Sequence, residues 1–432
     1  MVRKREMTMN KLAFPLTFAL LLMFACPQAA SAGEGATLEF WDTNSRAPHV
    51  VALDKLMKDF EKESGIKVKK TVIDNREQMK LAAAAKASGT LPDVMLIDFG
   101  GFDDISMGQM GVAAPVTEII QEKGRSFWIQ PDFITASSFS GQTWSVPMYA
   151  YPHILVYRKD WFDEKKLQPP KTWDQWYKAA AALTDPKADR WGVIFGFKEG
   201  FPFMDLVSSN GDYWWDKDGN PTIGERTRET IDFFRKMAND TMYPGSVNLT
   251  HEDTRLAFTK GLGAMLGTST SYLFPFDRDV PKWFDEGRIA AAPFPVNSPG
   301  REGTYLAYAT LVAVKGPREA MAKQFIRYII RNDVAVKFFS NNLPGHIPAL
   351  EEVYKDQSFW SARAKFRSTY EAGYKAVKES KWNEPVVPWG GVFRSRAHYS
   401  KVMDNIYVNK WSTDRVMAWL IDTMKDVKAE WK

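Results

Sequence analysis

From residue 38 to residue 101 the chain alternates between strand and helix periodicity, and this alternation restricts the fold more than any other feature. Leu38-Glu39-Phe40-Trp41-Asp42 reads as an apolar strand ending in a polar loop at 43–48. Leu53, Leu56, Met57 and Phe60 then recur at helical spacing, and Gly65 stops the helix. Residues 66–73 predict a second strand and 77–88 a second helix stopped by Gly89. Residues 91–98 predict a buried third strand that runs into Phe99-Gly100-Gly101. Parallel strands need a crossover connection, usually a helix, so this order implies an α/β fold with a mainly parallel sheet flanked by helices. Ligands of such sheets sit beyond the carboxyl ends of the strands. Residues 41–46 and 98–101 are two such ends, and both are expected to face one cleft.

A single core rarely grows to 432 residues, so two lobes are expected. Residues 1–32 predict a signal peptide. Arg3, Lys4, Arg5 and Lys11 form its basic end, 12–25 is apolar, and Ala30-Ser31-Ala32 is an A-x-A cleavage site. The apolar run is too short for a permanent span. Residues 1–32 hold four Lys or Arg against one Glu, so the chain beyond them falls from +5 to +2. That leaves no basic field for nucleic acid. The one cysteine, Cys26, lies in this leader. Met23-Phe24-Ala25-Cys26 is a poor lipobox because Phe24 is bulky, so cleavage after Ala32 and a soluble periplasmic or secreted product are expected over a lipid anchor at Cys26. The remaining chain has no disulfide and no cysteine chemistry.

The stretch 142–176 predicts a strand at 143–146, a Tyr-rich crossing at 148–152 between Pro147 and Pro152, and a second strand at 154–157. A short helix follows around 159–165, ended by Gln168-Pro169-Pro170, which cannot continue it. Thr172 then caps a further helix, with Gln175 as its capping-box partner.

Three words in this stretch carry a resemblance: Gly141-Gln142-Thr143-Trp144-Ser145-Val146-Pro147, then Tyr157-Arg158-Lys159-Asp160-Trp161-Phe162, then Pro170-Lys171-Thr172-Trp173-Asp174-Gln175. In this order they resemble the extracellular solute-binding proteins of carbohydrate-type ABC importers, the maltodextrin-binding-like superfamily. Trp144 stands where the family has Tyr, and Gln175 where it has Glu. The run Gly89-Thr90-Leu91-Pro92-Asp93-Val94 and residues 258–271, 289–295 and 303–314 match further family words. The resemblance extends from about residue 38 to the end. It implies a two-lobe periplasmic-binding-protein fold with a ligand cleft between lobes. The expected lobes are 33–147 with 310–346, and 153–305 with 350–432, joined by hinge crossings at 148–152, 306–309 and 347–349. Within the C-terminal part, 383–393 is too rich in Pro and Gly to predict helix.

Chemistry motifs are sparse. The five histidines show no metal spacing and read as surface or hinge-packing groups. There is no G-x-S-x-G and no P-loop, and Gly261-x-Gly263 lacks the rest of a dinucleotide fingerprint. No cofactor, metal, catalytic residue or enzyme activity is expected. Aromatic content is 14%, which favours a stacking surface for sugars. The candidate ligand-binding residues are Trp41, Asn44, Arg46, Asp98, Tyr149, Trp214, Trp215, Ser269, Tyr305 and Trp389, each of which also has a structural reading as core filler, cap or ion pair. The implied role is capture of a carbohydrate, an oligosaccharide, outside the cytoplasmic membrane. A monomer would deliver it to the permease subunits of an ABC importer by hinge closure. The alternatives are the same fold binding an acidic or phosphorylated solute, and a secreted carbohydrate-active enzyme or lectin-like module.

Overall fold

The computed structural model describes residues 35–298, 306–341, 345–379 and 385–431. The expected signal peptide, Cys26 and Tyr305 lie outside the described residues.

Strand β1 (Thr37–Asp42) alternates because successive side chains point to opposite faces and one face packs more tightly than the other, with Leu38, Phe40 and Asp42 fully buried. The helix Ala47–Ser64 buries Leu53, Leu56, Met57 and Phe60 and ends at Gly65, whose φ of 73° is the left-handed cap a Cβ disfavours. β2 (Lys67–Val72) and β3 (Val94–Ile97) each pair parallel with β1. β4 (Ser138–Phe139) and β5 (Gln142–Thr143) form a separate two-stranded hairpin.

β6 (Val146–Arg158) is one strand of 13 residues, where the sequence predicts two strands broken at Pro147 and Pro152. The prolines are accommodated because each falls where the ladder is already interrupted. Pro147 lies opposite Thr310, at a register shift between Ala309 and Thr310. Pro152 lies where pairing passes from one set of neighbours to another. The remaining strands are β7 (Trp191–Ile194), β8 (Gly263–Ser269), β9 (Ile289–Pro293), β10 (Leu306–Ala313) and β11 (Ile347–Pro348).

The strand order is β2-β1-β3-β10-β6-β8-β7, with β9 and β11 also on β6. The first half of β6 pairs with β10 and β11, and the second half, from His153, pairs with β8 and β9. β6 thus belongs to both halves of the molecule and carries the chain between them.

The first half buries Phe40, Phe60, Phe325 and Ile326; the second buries Phe162, Trp176, Phe234 and Phe393. Leu350, Val353 and Phe359 join the core that contains Phe338 and Phe339, and the Arg363 guanidinium donates to the Phe339 carbonyl. The segment 387–431 packs instead with the second-half core. Inside the Pro- and Gly-rich stretch that predicts no helix, residues Gly390–Ser395 do form one. A Cβ at Gly391 would stand 2.8 Å from both Asp103 Oδ1 and Ser106 Oγ, so glycine is kept there by close approach to a neighbouring helix.

Candidate functional site

Polar groups converge where the carboxyl ends of β1, β2 and β3 face the ends of β7 and β8. A cavity of about 770 Å³ lies there, within the usual range for a small-molecule site. From the first half it is lined by the loops 43–46, 72–77 and 98–99. The centre of β6 supplies Tyr149, Tyr151 and His153. The second half supplies Glu199, Phe201, His251, Ser269 and Tyr272. A smaller hollow of about 250 Å³, between the helices Ala47–Ser64 and Asn332–Asn341, is edged by Lys55, Asp59, Glu63, Arg331 and Lys337. Ion pairs such as Lys337–Asp59 at 2.7 Å cross it and no strand end reaches it, so the cleft is the better candidate.

The cleft's groups are held by one another. Asp98 accepts hydrogen bonds from Tyr151 Oη at 2.5 Å and Asn75 Nδ2 at 2.8 Å. Asn44 Nδ2 donates to Tyr149 Oη at 3.4 Å, while Asn44 Oδ1 accepts from the Arg46 backbone at 3.1 Å. Contacts also cross the cleft. The Phe99 and Phe201 rings stack at 6.1 Å, and the Arg46 guanidinium lies 5.5 Å from the Tyr272 ring centroid. Arg76 comes to 3.8 Å from Glu199.

Burial sets the protonation states. It pushes the Tyr149 phenol well above its usual value, helped by the charges of Asp98 and Asp42. It holds His251 and His346 well below the usual imidazole value, with Arg46 adding repulsion in both cases, so both are neutral at pH 7. Burial also raises Glu199, against a hydrogen bond from the His251 backbone. Five basic and five acidic side chains line the cavity, so it carries no strong net field. The site therefore offers aromatic faces, fixed donors and acceptors, and balanced charge. Among the described residues no three His, Cys, Asp or Glu gather as a metal site.

Residues 46–336 match the model of the bacterial extracellular solute-binding protein family, which is well over half of the chain. The chain belongs to this family. Among curated relatives, the mannitol-binding protein of Pseudomonas aeruginosa is 24% identical over 312 residues, 70% of each chain. The sn-glycerol-3-phosphate-binding periplasmic protein of Agrobacterium fabrum is 26% identical over 194 residues, 43% of this chain and 44% of that one. Among solved structures, the GacH receptor of Streptomyces glaucescens, described unliganded and with acarbose, matches with a TM-score of 0.75 at 19% identity. It covers 92% of this chain and 99% of its own. An ABC transporter solute-binding protein from Agrobacterium vitis with bound D-mannitol matches with a TM-score of 0.70 at 20% identity, covering 91% and 99%. These likenesses show the two-lobe α/β fold of periplasmic binding proteins. No helix among the described residues is long and apolar enough to cross a membrane.

In this solute-binding protein five of the ten candidate residues meet at the cavity: Asn44, Arg46, Asp98, Tyr149 and Ser269. Trp41 points to the opposite face of β1 from Phe40 and packs against the small cluster containing Met79 and Met95. Trp214, Trp215 and Trp389 are not in the cavity wall. Trp214 is stacked on Tyr399 with centroids 4.9 Å apart, and Trp215 stands edge-on to Trp389 at 5.7 Å. All three fill the second-lobe core because the helices Gly390–Ser395 and His398–Tyr407 cover the loop that carries the first two. Four of the five histidines are buried, and His251 lines the cavity. His153 and His346 pack at the crossings as expected, but His49 is core, with Nε2 3.1 Å from Asp42 Oδ2, and His398 is buried too.

Asn75, Arg76, Glu199, His251 and Arg394 line the cavity without having been singled out in the sequence. Asn75 and Arg76 follow β2, so the strand-end rule applied to a third strand finds them. Glu199 follows β7 by the same rule. Nothing in the sequence marks His251 or Arg394.

Proposed function

We propose that this protein captures a neutral carbohydrate, a sugar or polyol, outside the cytoplasmic membrane and delivers it to the permease subunits of an ABC importer. The observation that carries this reading is the balanced, aromatic-walled cleft. The half-buried rings of Tyr151 and Phe201 can pack against C–H faces, while Asn44, Arg46 and Asp98 stand ready for hydroxyls. The curated and solved relatives that bind mannitol and acarbose support the same class. The protein binds and releases its ligand without chemistry. Lobes of 33–147 with 310–346 and of 153–305 with 350–432 rotate about the crossings 148–152, 306–309 and 347–349, and ligand favours closure by its higher affinity for the closed state.

Calorimetry and thermal shift against mannitol, ribitol, maltose, maltotriose and glycerol 3-phosphate test this. Saturable binding of an uncharged member is expected. Exclusive binding of the phosphate ester, or turnover of any sugar, overturns the reading. The exported protein begins at Gly33 after cleavage at Ala30-Ser31-Ala32. Mass spectrometry of material from the native host checks this, and a diacylated Cys26 terminus refutes it.

A further inference from the structure

One cavity residue comes from far along the chain. Arg394 sits on the short helix Gly390–Ser395, whose neighbours Val387, Trp389 and Phe393 belong to the second-lobe core. Its guanidinium reaches across the cleft to Asp103 of the first lobe. Nε donates to Oδ1 at 3.2 Å and the second nitrogen to Oδ2, with Asp103 wholly buried. The guanidinium also lies 3.8 Å from the centroid of the Phe99 ring. Ser106 Oγ, one turn on from Asp103, donates to the Pro388 carbonyl at 2.7 Å and accepts from the Gly391 backbone at 3.2 Å.

The contact continues into the ligand site. Gln78 Nε2 bonds Asp103 Oδ2 at 2.6 Å and the Asp98 backbone carbonyl at 2.9 Å. The Asp98 carboxylate, held further by Asn75 and Tyr151, faces the cavity. A buried carboxylate without its cation is strongly disfavoured, so loss of Arg394 would leave Asp103 either hydrated or protonated. The pair is therefore complete only with the lobes together.

We propose that Arg394 is a positioning residue that couples lobe closure to the shape of the ligand site. When the second lobe swings in, its guanidinium docks on Asp103, and Gln78 passes that constraint to Asp98. Gly391 is part of the device, because a side chain there would keep the helix off Asp103. This inference rests on the carbohydrate-binding reading for its ligand but not for its closure.

Two measurements separate the readings. The first is small-angle scattering of the full mature protein without ligand. Arg394→Ala, Asp103→Asn and Gly391→Ala are each expected to be less compact than wild type, with Arg394→Lys intermediate because it keeps the charge but loses the fork. Equal radii of gyration in all of them overturn the latch, whatever the panel binds. The second is a double-mutant cycle on the tightest panel sugar. Arg394→Ala and Asp98→Asn are each expected to weaken binding at least tenfold, and together little more than either alone, because one acts through the other. Additive losses make Arg394 a structural ion pair only and overturn the positioning role. If Arg394→Ala does not fold, Arg394→Lys and Gly391→Ala carry both measurements. A panel with no binder overturns the proposed function, and the scattering result then decides the latch alone.

Discussion

The loops after β1 and β3 and the aromatic loop at 213–215 stand out equally in the sequence, yet folding sends them to opposite environments. Asn44, Arg46 and Asp98 line the cleft, whereas Trp214 and Trp215 are 1% and 3% exposed in a core. The difference lies in what determines each position. A loop at the carboxyl end of a parallel strand is placed by the topology of its own βαβ unit, so a local reading finds it. A tryptophan is placed by whatever covers it. Here the cover is Phe393 and Tyr399, about 180 residues later, on helices with no signature of their role.

The strongest test of this contrast is Trp214→Ala. Truncating a buried tryptophan typically destabilises by about 3–5 kcal/mol, and the Trp214 Nε1 bond to Asp212 at 3.1 Å is lost as well. Urea unfolding is expected to show that loss, with ligand affinity at 20 °C unchanged. A tenfold weaker affinity at unchanged stability would return the loop to the site.

Each region also conceals a buried acid. Asp212, beneath Trp214, is raised to about 6 by burial, against hydrogen bonds from Thr227 and Trp214. Asp104, behind the β3 loop, is raised to about 6 for the same cause, against Ser145 and Ser137. A folded pKa above the unfolded value means the native state holds the proton more tightly. The stability from each group is therefore full below about pH 3.8 and is lost as pH rises through about 6, a change of about 3 kcal/mol per group. Asp212→Asn removes one such group. The unfolding free energy of the variant minus that of wild type is expected to climb between pH 4 and pH 7. A difference flat with pH would mean that Asp212 is ionised in the folded protein throughout.

Asp98→Asn is the mirror image of Trp214→Ala. Hydrogen bonds to a charged group contribute about 1.5–3 kcal/mol, so affinity for the bound sugar is expected to fall roughly ten- to a hundredfold with little change in stability. Calorimetry on the same panel measures it. Undiminished affinity would remove the β3 loop from the site and leave the cleft to Arg46 and Tyr149.

These cases also mark how much was legible. The α/β alternation, the strand-end loops and the Tyr-rich crossing all follow from local pattern, and each has its counterpart in β1, β3 and β6. The continuity of β6 was hidden because proline reads as a break, whereas the ladder of its neighbours makes room at Thr310 and at the change of partners. His251 and Arg394 were hidden for a different reason. Their positions depend on contacts between distant segments, and no spacing in the chain records such contacts.

The smallest effect tests whether a legible motif is also a functional one. Thr172 caps the helix Trp173–Leu183, its Oγ1 accepting from the Gln175 backbone at 3.4 Å. The expected return bond does not go to Thr172. Gln175 Oε1 accepts from the Lys171 backbone at 2.8 Å instead, so the motif closes one residue early. Loss of an N-cap side chain typically destabilises by about 1 kcal/mol. Thr172→Ala is expected to lower stability by that much, and Gln175→Ala by less, since its bond lies outside the helix. Neither residue lines the cleft, so sugar affinity should stay at the wild-type value in both. An affinity loss in Thr172→Ala comparable to that of Asp98→Asn would mean that the helix transmits to the cleft. The division between local signals that build the fold and strand ends that build the site would then fail in the second lobe.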